Sequence, residues 1–270
     1  MSDTRTAKDT LERSADELRA IVLDDVSLKF RLRYYRQRRT LRGEIVGGIS
    51  KALRARRRSS STSDFWALRG VTLAVHQGES LGIIGYNGSG KSTLLRVMAG
   101  IYAPDRGAVT THGSIATLLS FGAGFDARQS GRDNIYHNGI LLGLKRQEIG
   151  EIVDGIIELS GLDEFIDAPV STYSAGMKAR LGFAIAAHVR ADILLVDEVI
   201  GAGDERFRAR AGNIFDQLRN RKGTTVFVTH SMQLLKEYCT RAIWLHEGKV
   251  RLEGAPADVA KVYVNAAKQS

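Results

Sequence analysis

Apolar and polar positions change period several times along the chain, and each change predicts an element. IVLDDVSLKFRLRYY (21–35) alternates and is rich in β-branched residues, as a half-buried strand requires. FWALRGVTLAVHQGE (65–79) reads as a hairpin-like pair of strands leading into SLGIIG (80–85), a short buried strand. Residues 91–100 have helical spacing, and residues 126–165 are mostly helical with loops between. ADILLVDE (191–198) and TTVFVTH (224–230) are two further apolar runs of strand length. AIWLHEGKV (242–250) predicts a closing hairpin, followed by a helix to the end. No internal repeat is visible. Short apolar strands alternating with helices predict an α/β fold whose parallel sheet is covered on both faces.

Composition narrows this little. Hydrophobic residues are 43% and charged residues 26%, ordinary values for one sizeable α/β domain in 270 residues. The start, MSDTRTAKDTLERS, is polar and charged, unlike a secretory signal, and residues 1–20 read as a polar leader. The longest uncharged run, Gly107 to Phe125, is rich in Gly, Thr and Ser, which suits strands and turns better than a membrane span. A single cysteine, Cys239, cannot form an internal disulfide and excludes a cysteine-based zinc site; a reducing cytoplasm is expected.

Charge does change the picture. The chain carries a net +9, but residues 31–58 hold eleven Lys or Arg against the one acid Glu44, a local +10. The remainder therefore sums to −1. Leu41, Ile45, Ile49 and Leu53 are spaced four apart within this stretch, with Arg38, Arg42, Lys51 and Arg54 around them. As a helix this would be a basic amphipathic element suited to an anionic membrane surface, weakened by Gly47 and Gly48. A solvated charged insertion and a nucleic-acid contact are the alternatives, the last without any recognised nucleic-acid fold. SSSTS (59–63) ends it as a flexible joint.

The strand SLGIIG runs into GYNGSGKS (85–92) and then TLLRVMAG, a G-x-x-x-x-G-K-S run in strand–loop–helix context. Gly85, Gly88 and Gly90 let backbone N–H groups turn inward where a Cβ would block an anion, and the helix N-terminus adds its positive end. Gly85, Tyr86, Asn87, Gly88, Ser89, Gly90, Lys91, Ser92 and Thr93 form the candidate cradle for a nucleoside triphosphate. Lys91 is expected at the β- and γ-phosphates and the Ser92 hydroxyl on Mg²⁺. The bland alternative is a glycine turn followed by a chance Lys-Ser.

ILLVDE (193–198) sets Asp197 and Glu198 at the end of a buried strand, where α/β proteins open their ligand crevice. Asp197 is expected to hold Mg²⁺, and Glu198 to orient or deprotonate the attacking water. Acids at strand ends are common, so the pair gains its meaning from the cradle. His230, after VFVT, should stop at the same sheet edge and contact the γ-phosphate; a structural or merely surface histidine is the alternative.

YSAGMKARLGFAIA (173–186) begins a helix with Ser174-Ala175-Gly176, and Ser174 lies 23 residues before Asp197. With these motifs in this order the chain resembles the ABC ATPase family over nearly all of residues 21–260. The resemblance implies a RecA-like P-loop core with an antiparallel β subdomain and a helical signature-motif subdomain at about 126–185, with 261–270 as a tail. It implies ATP-Mg²⁺ as ligand and a homodimer in which Ser174, Ala175 and Gly176 meet the γ-phosphate held by the other copy. A capped helix with no ligand is the alternative for Ser174. GAGD (201–204) matches the family's D-loop, so Asp204 should cross the dimer interface, and Phe30 sits where the family stacks adenine, with Tyr34 and Tyr35 as nearby substitutes for that role.

YSAGM, DEVIGAGD, FGAGFDARQSGRDNIYHNG (121–139) and FWAL (65–68) look like the polysaccharide-export branch, which moves O-antigen, capsular polysaccharide, teichoic acid or related glycans. That likeness implies two copies of a separate membrane permease, which handles a lipid-linked glycan, and a position on the cytoplasmic face of the cell membrane. The chain departs from the pattern where a Q-loop glutamine is usual: counting back from Asp133–Asn134 gives Phe121. No carbohydrate-binding domain follows, so glycan recognition is expected in the permease, and no nucleic-acid partner is expected. The rival class is a soluble ABC ATPase acting on ribosomes or DNA, which would usually show fused halves, a coiled coil or a zinc insertion.

Overall fold

The computed structural model describes residues 19–32, 63–118, 124–189, 191–197, 212 and 223–268. Glu198, Asp204, Phe121, Tyr34, Tyr35 and the basic stretch 33–62 with its four candidate lipid contacts lie outside the described residues, as does most of the polar leader.

A three-stranded antiparallel sheet, ordered β2-β1-β4, is built from β1 (Arg19–Leu32), β2 (Ser63–His76) and β4 (Arg106–Thr111). The stretch 65–79 is thus not a pair of strands: Gly70, with φ +64, reads locally as a turn, yet β2 continues against β1 from Ser63 to His76. Register shifts in β1 between Leu23 and Lys29 absorb the irregularity instead of reversing the chain. Because Leu32 pairs with Ser63, the chain leaves and re-enters this sheet at one end, beside Phe30 and Phe65.

The second sheet has six strands in the order β5-β6-β7-β3-β8-β9, from β3 (Ser80–Ile84), β5 (Ile115–Leu118), β6 (Ile193–Asp197), β7 (Thr224–Val228), β8 (Arg241–His246) and β9 (Lys249–Gly254). It is parallel except for the β8–β9 hairpin. Strand alternation serves two cores. Ile193 and Leu195 face a cluster with Leu81, Ile83, α1 (Lys91–Met98) and the antiparallel sheet. Leu194 and Val196 face the opposite layer, made by α2 (Gly131–Leu141), α3 (Arg146–Ser160) and α4 (Ala175–His188). Burial on both faces is why these strands read as continuous apolar runs. The described part ends with α5 (Met232–Tyr238) and α6 (Pro256–Ala267) against the hairpin, and α6 continues through the sequence-expected tail boundary at 261.

A half-buried ion cluster joins the two sheets. Arg241 donates to both oxygens of Glu79 (2.5 and 3.0 Å) and also reaches Glu253 and the Ala74 carbonyl of β2. Burial alone would lower the Arg241 pKa; its hydrogen bonds and charge pairing with the two glutamates outweigh that and raise it. Glu79→Ala removes the main partner of this half-buried guanidinium, so a loss of about 2 kcal/mol in folding stability is expected in urea unfolding, with little change in a Lys249→Ala control on the exposed end of β9.

Candidate nucleotide site

Three neighbouring parallel strands, β6, β7 and β3, end at one sheet edge, with Asp197 opposite Val228 and Val228 opposite Ile83. Thr229 extends the pairing by donating its N–H to the Ile83 carbonyl (3.2 Å), so His230 emerges beside the end of β3. From that end the chain passes through residues 85–90 into α1.

Gly90 is the N-cap of α1 at φ +103, and a Cβ there would stand 2.5 Å from the Ala67 carbonyl. No other residue fits so close to β2. Gly88 has φ +78 with nothing within 4 Å of the position of a Cβ, which would project into the open cleft. The loop is braced from outside as well: Gly248, in the β8–β9 turn, donates to the Ser89 carbonyl (3.0 Å) and accepts from Arg69 of β2 (2.9 Å). Lys91 is buried, and its Nζ donates to the Gly85 and Tyr86 carbonyls (2.9 and 3.0 Å), which holds the ammonium inside the loop's curve.

The resulting cleft, about 250 Å³, is lined by Phe30, Phe65, Ala67, Asn87, Gly88, Gly90, Lys91, Ser92, Thr93, Asp197 and His230. Of the sequence-predicted residues it brings together Phe30, most of the loop, one carboxylate and the histidine. Tyr86 is different: its ring turns away into an aromatic cluster with Trp244, His246 and Tyr263 of α6, so only its backbone faces the loop. Gly85 and Ser89 lie beneath the cleft surface, and the buried Ser89 hydroxyl has no hydrogen-bond partner among the described residues. Ser174, Ala175 and Gly176 do not line this cleft; they open α4, where the Ser174 hydroxyl accepts from the Met177 N–H (3.2 Å). Phe65, Ala67 and the bracing Gly248 were not singled out from the sequence, because their roles depend on strand pairing and turn docking.

This donor set suits a triphosphate with its cation. A buried ammonium, a glycine wall that a side chain would fill, an orphaned buried hydroxyl and the α1 N-terminus make an anion cradle, and the Ser92 hydroxyl with the Asp197 carboxylate offers the oxygen ligands that Mg²⁺ takes. The lone thiol has no such role: burial pushes the Cys239 pKa up to about 12.

The cleft and sheet define a P-loop ATP-binding protein. Residues 68–201 match the family model described as ABC transporter. The chain is 40% identical over 202 residues to the O-antigen export system ATP-binding protein RfbB of Klebsiella pneumoniae, spanning 75% of this chain and 82% of that one. It is 43% identical over 251 residues to the protein of the same name from Myxococcus xanthus, spanning 92% of this chain but 56% of that relative. The chain belongs to the ABC transporter family. In fold it is similar to a dimeric ATP-binding cassette solved with ADP and Pi, with a TM-score of 0.68 at 19% identity, covering 87% of this chain and 98% of that one.

Proposed function

We propose that this chain is the ATP-binding and ATP-hydrolysing subunit of an ABC exporter that moves a lipid-linked polysaccharide across the cytoplasmic membrane. The observation that carries the enzymatic part is the meeting of Lys91, Ser92, Asp197 and His230 in one cleft at the C-terminal edge of the parallel sheet. Lys91 and the loop N–H groups hold the phosphates, and Asp197 and Ser92 hold Mg²⁺, whose chemistry is to neutralise charge developing on the transferred phosphoryl group. Glu198, one residue beyond Asp197, takes the proton of the attacking water, and His230 contacts the terminal phosphate. Ser174, Ala175 and Gly176 at the α4 N-terminus close the site of a second copy, with Asp204 at that interface.

The transport part is supported by the relatives, which are named as ATP-binding proteins of O-antigen export systems. On this reading two copies of this chain sit on the cytoplasmic face of two permease copies, and the basic segment 31–63 is a candidate lipid contact, with a solvated insertion or a nucleic-acid contact as its alternatives. Deleting the gene should trap the glycan inside the cell, and wild-type chain but not Glu198→Gln should restore surface display. Normal surface glycan in the deletion strain would overturn the transport reading while leaving ATP hydrolysis standing.

A further inference from the structure

Eight large hydrophobic side chains are exposed among the described residues, and Phe65, at 46% exposure, is the one that lines the phosphate cleft. Its position is fixed by pairing: Phe65 stands directly opposite Phe30 across the antiparallel β1–β2 ladder. Cross-strand partners share a face, with their Cβ atoms about 5 Å apart. The neighbouring Trp66 is anchored elsewhere, under Lys29 Nζ (5.5 Å from the ring centre) and Arg106 (5.8 Å). Lys29 also pairs with Asp64 at 2.9 Å. Strand alternation therefore turns Phe65 and Ala67 toward the cleft while the cations hold Trp66 away from it. Phe30 is steadied by an edge contact with Tyr102 (5.8 Å between centres, 75° between planes). Among the described residues Phe65 has no ring partner.

We infer that Phe65 is a second wall of the nucleoside subsite, forming with Phe30 an aromatic platform for the base of the nucleotide whose phosphates lie on Lys91. The inference rests on the nucleotide-binding reading and extends it, since the family resemblance points to a single stacking aromatic at Phe30. Both rings offer faces rather than hydrogen-bonding groups, so their contribution is to base stacking and not to phosphate binding. The 46% exposure leaves ring area for a base to cover, whereas a ring serving only the protein core would already be enclosed.

The test is isothermal titration of the purified chain with ATP and, separately, with inorganic tripolyphosphate, which lacks base and ribose. Phe65→Ala should weaken ATP binding about ten-fold, as loss of one stacking ring typically does, and leave tripolyphosphate binding unchanged. Phe65→Trp should retain wild-type affinity for ATP. ATP affinity within two-fold of wild type in Phe65→Ala, or an equal loss for both ligands, would overturn the inference while the wild-type titrations uphold the nucleotide site. Failure of the wild-type chain to bind either ligand would overturn that site and this inference together.

Discussion

Replacing Lys91 with alanine should reduce ATP affinity by about 10²- to 10³-fold, within the range for truncating one partner of a buried, hydrogen-bonded charge contact. The side chain is buried at the first position of α1, and its ammonium is held by the Gly85 and Tyr86 carbonyls within the curve of the loop. A cation fixed in that way needs no ordering when phosphates arrive, so its full electrostatic contribution appears as affinity. Lys91→Arg should not rescue binding, because a planar fork is a poor replacement for a compact ammonium in so small a space. Fluorescence titration with ATP checks both variants, and circular dichroism confirms that each is folded. Normal binding by Lys91→Ala would remove the cradle from the account.

Much of this site was readable from residue order, because its parts are local. The glycine–lysine–serine loop between a strand and a helix declares its own geometry; outside the cleft, Ser174 before AGMK caps α4 as its residue type predicts. The ends of β6 at Asp197 and of β7 at Val228, two residues before His230, were legible because apolar runs buried on both faces stop abruptly at polar residues. What was not legible depends on pairing between distant segments. Phe65 acquires its place from the Phe30 register, Gly248 braces the loop from 159 positions beyond Ser89, and Arg241 meets Glu79 across 162 positions. The two-strand reading of 65–79 failed for a related reason: Gly70 has a turn's backbone, but uninterrupted pairing with β1 overrides it.

Replacing Glu198 with glutamine should leave ATP binding intact and lower turnover by about 10²- to 10⁴-fold, the usual range for losing a general base. The change removes one charge and keeps the shape of the side chain. Glu198 follows directly on Asp197, the last residue of β6, which lines the cleft, and the proposed role of Glu198 is on the attacking water and not in the cradle. Phosphate release under saturating ATP and Mg²⁺ measures the effect, and a parallel ATP titration separates it from a binding defect. Undiminished hydrolysis would move the base elsewhere.

Two copies closing on ATP is the claim from which the rest of the mechanism hangs, and sedimentation velocity of the Glu198→Gln chain tests it most directly. With ATP and Mg²⁺, in the presence of the permease if required, the chain should pass from monomer to a stable dimer holding one ATP per copy. Adding Ser174→Arg should abolish the dimer while each chain still binds ATP at its own loop. A chain that binds ATP and remains monomeric at every concentration, with and without the permease, would contradict the account.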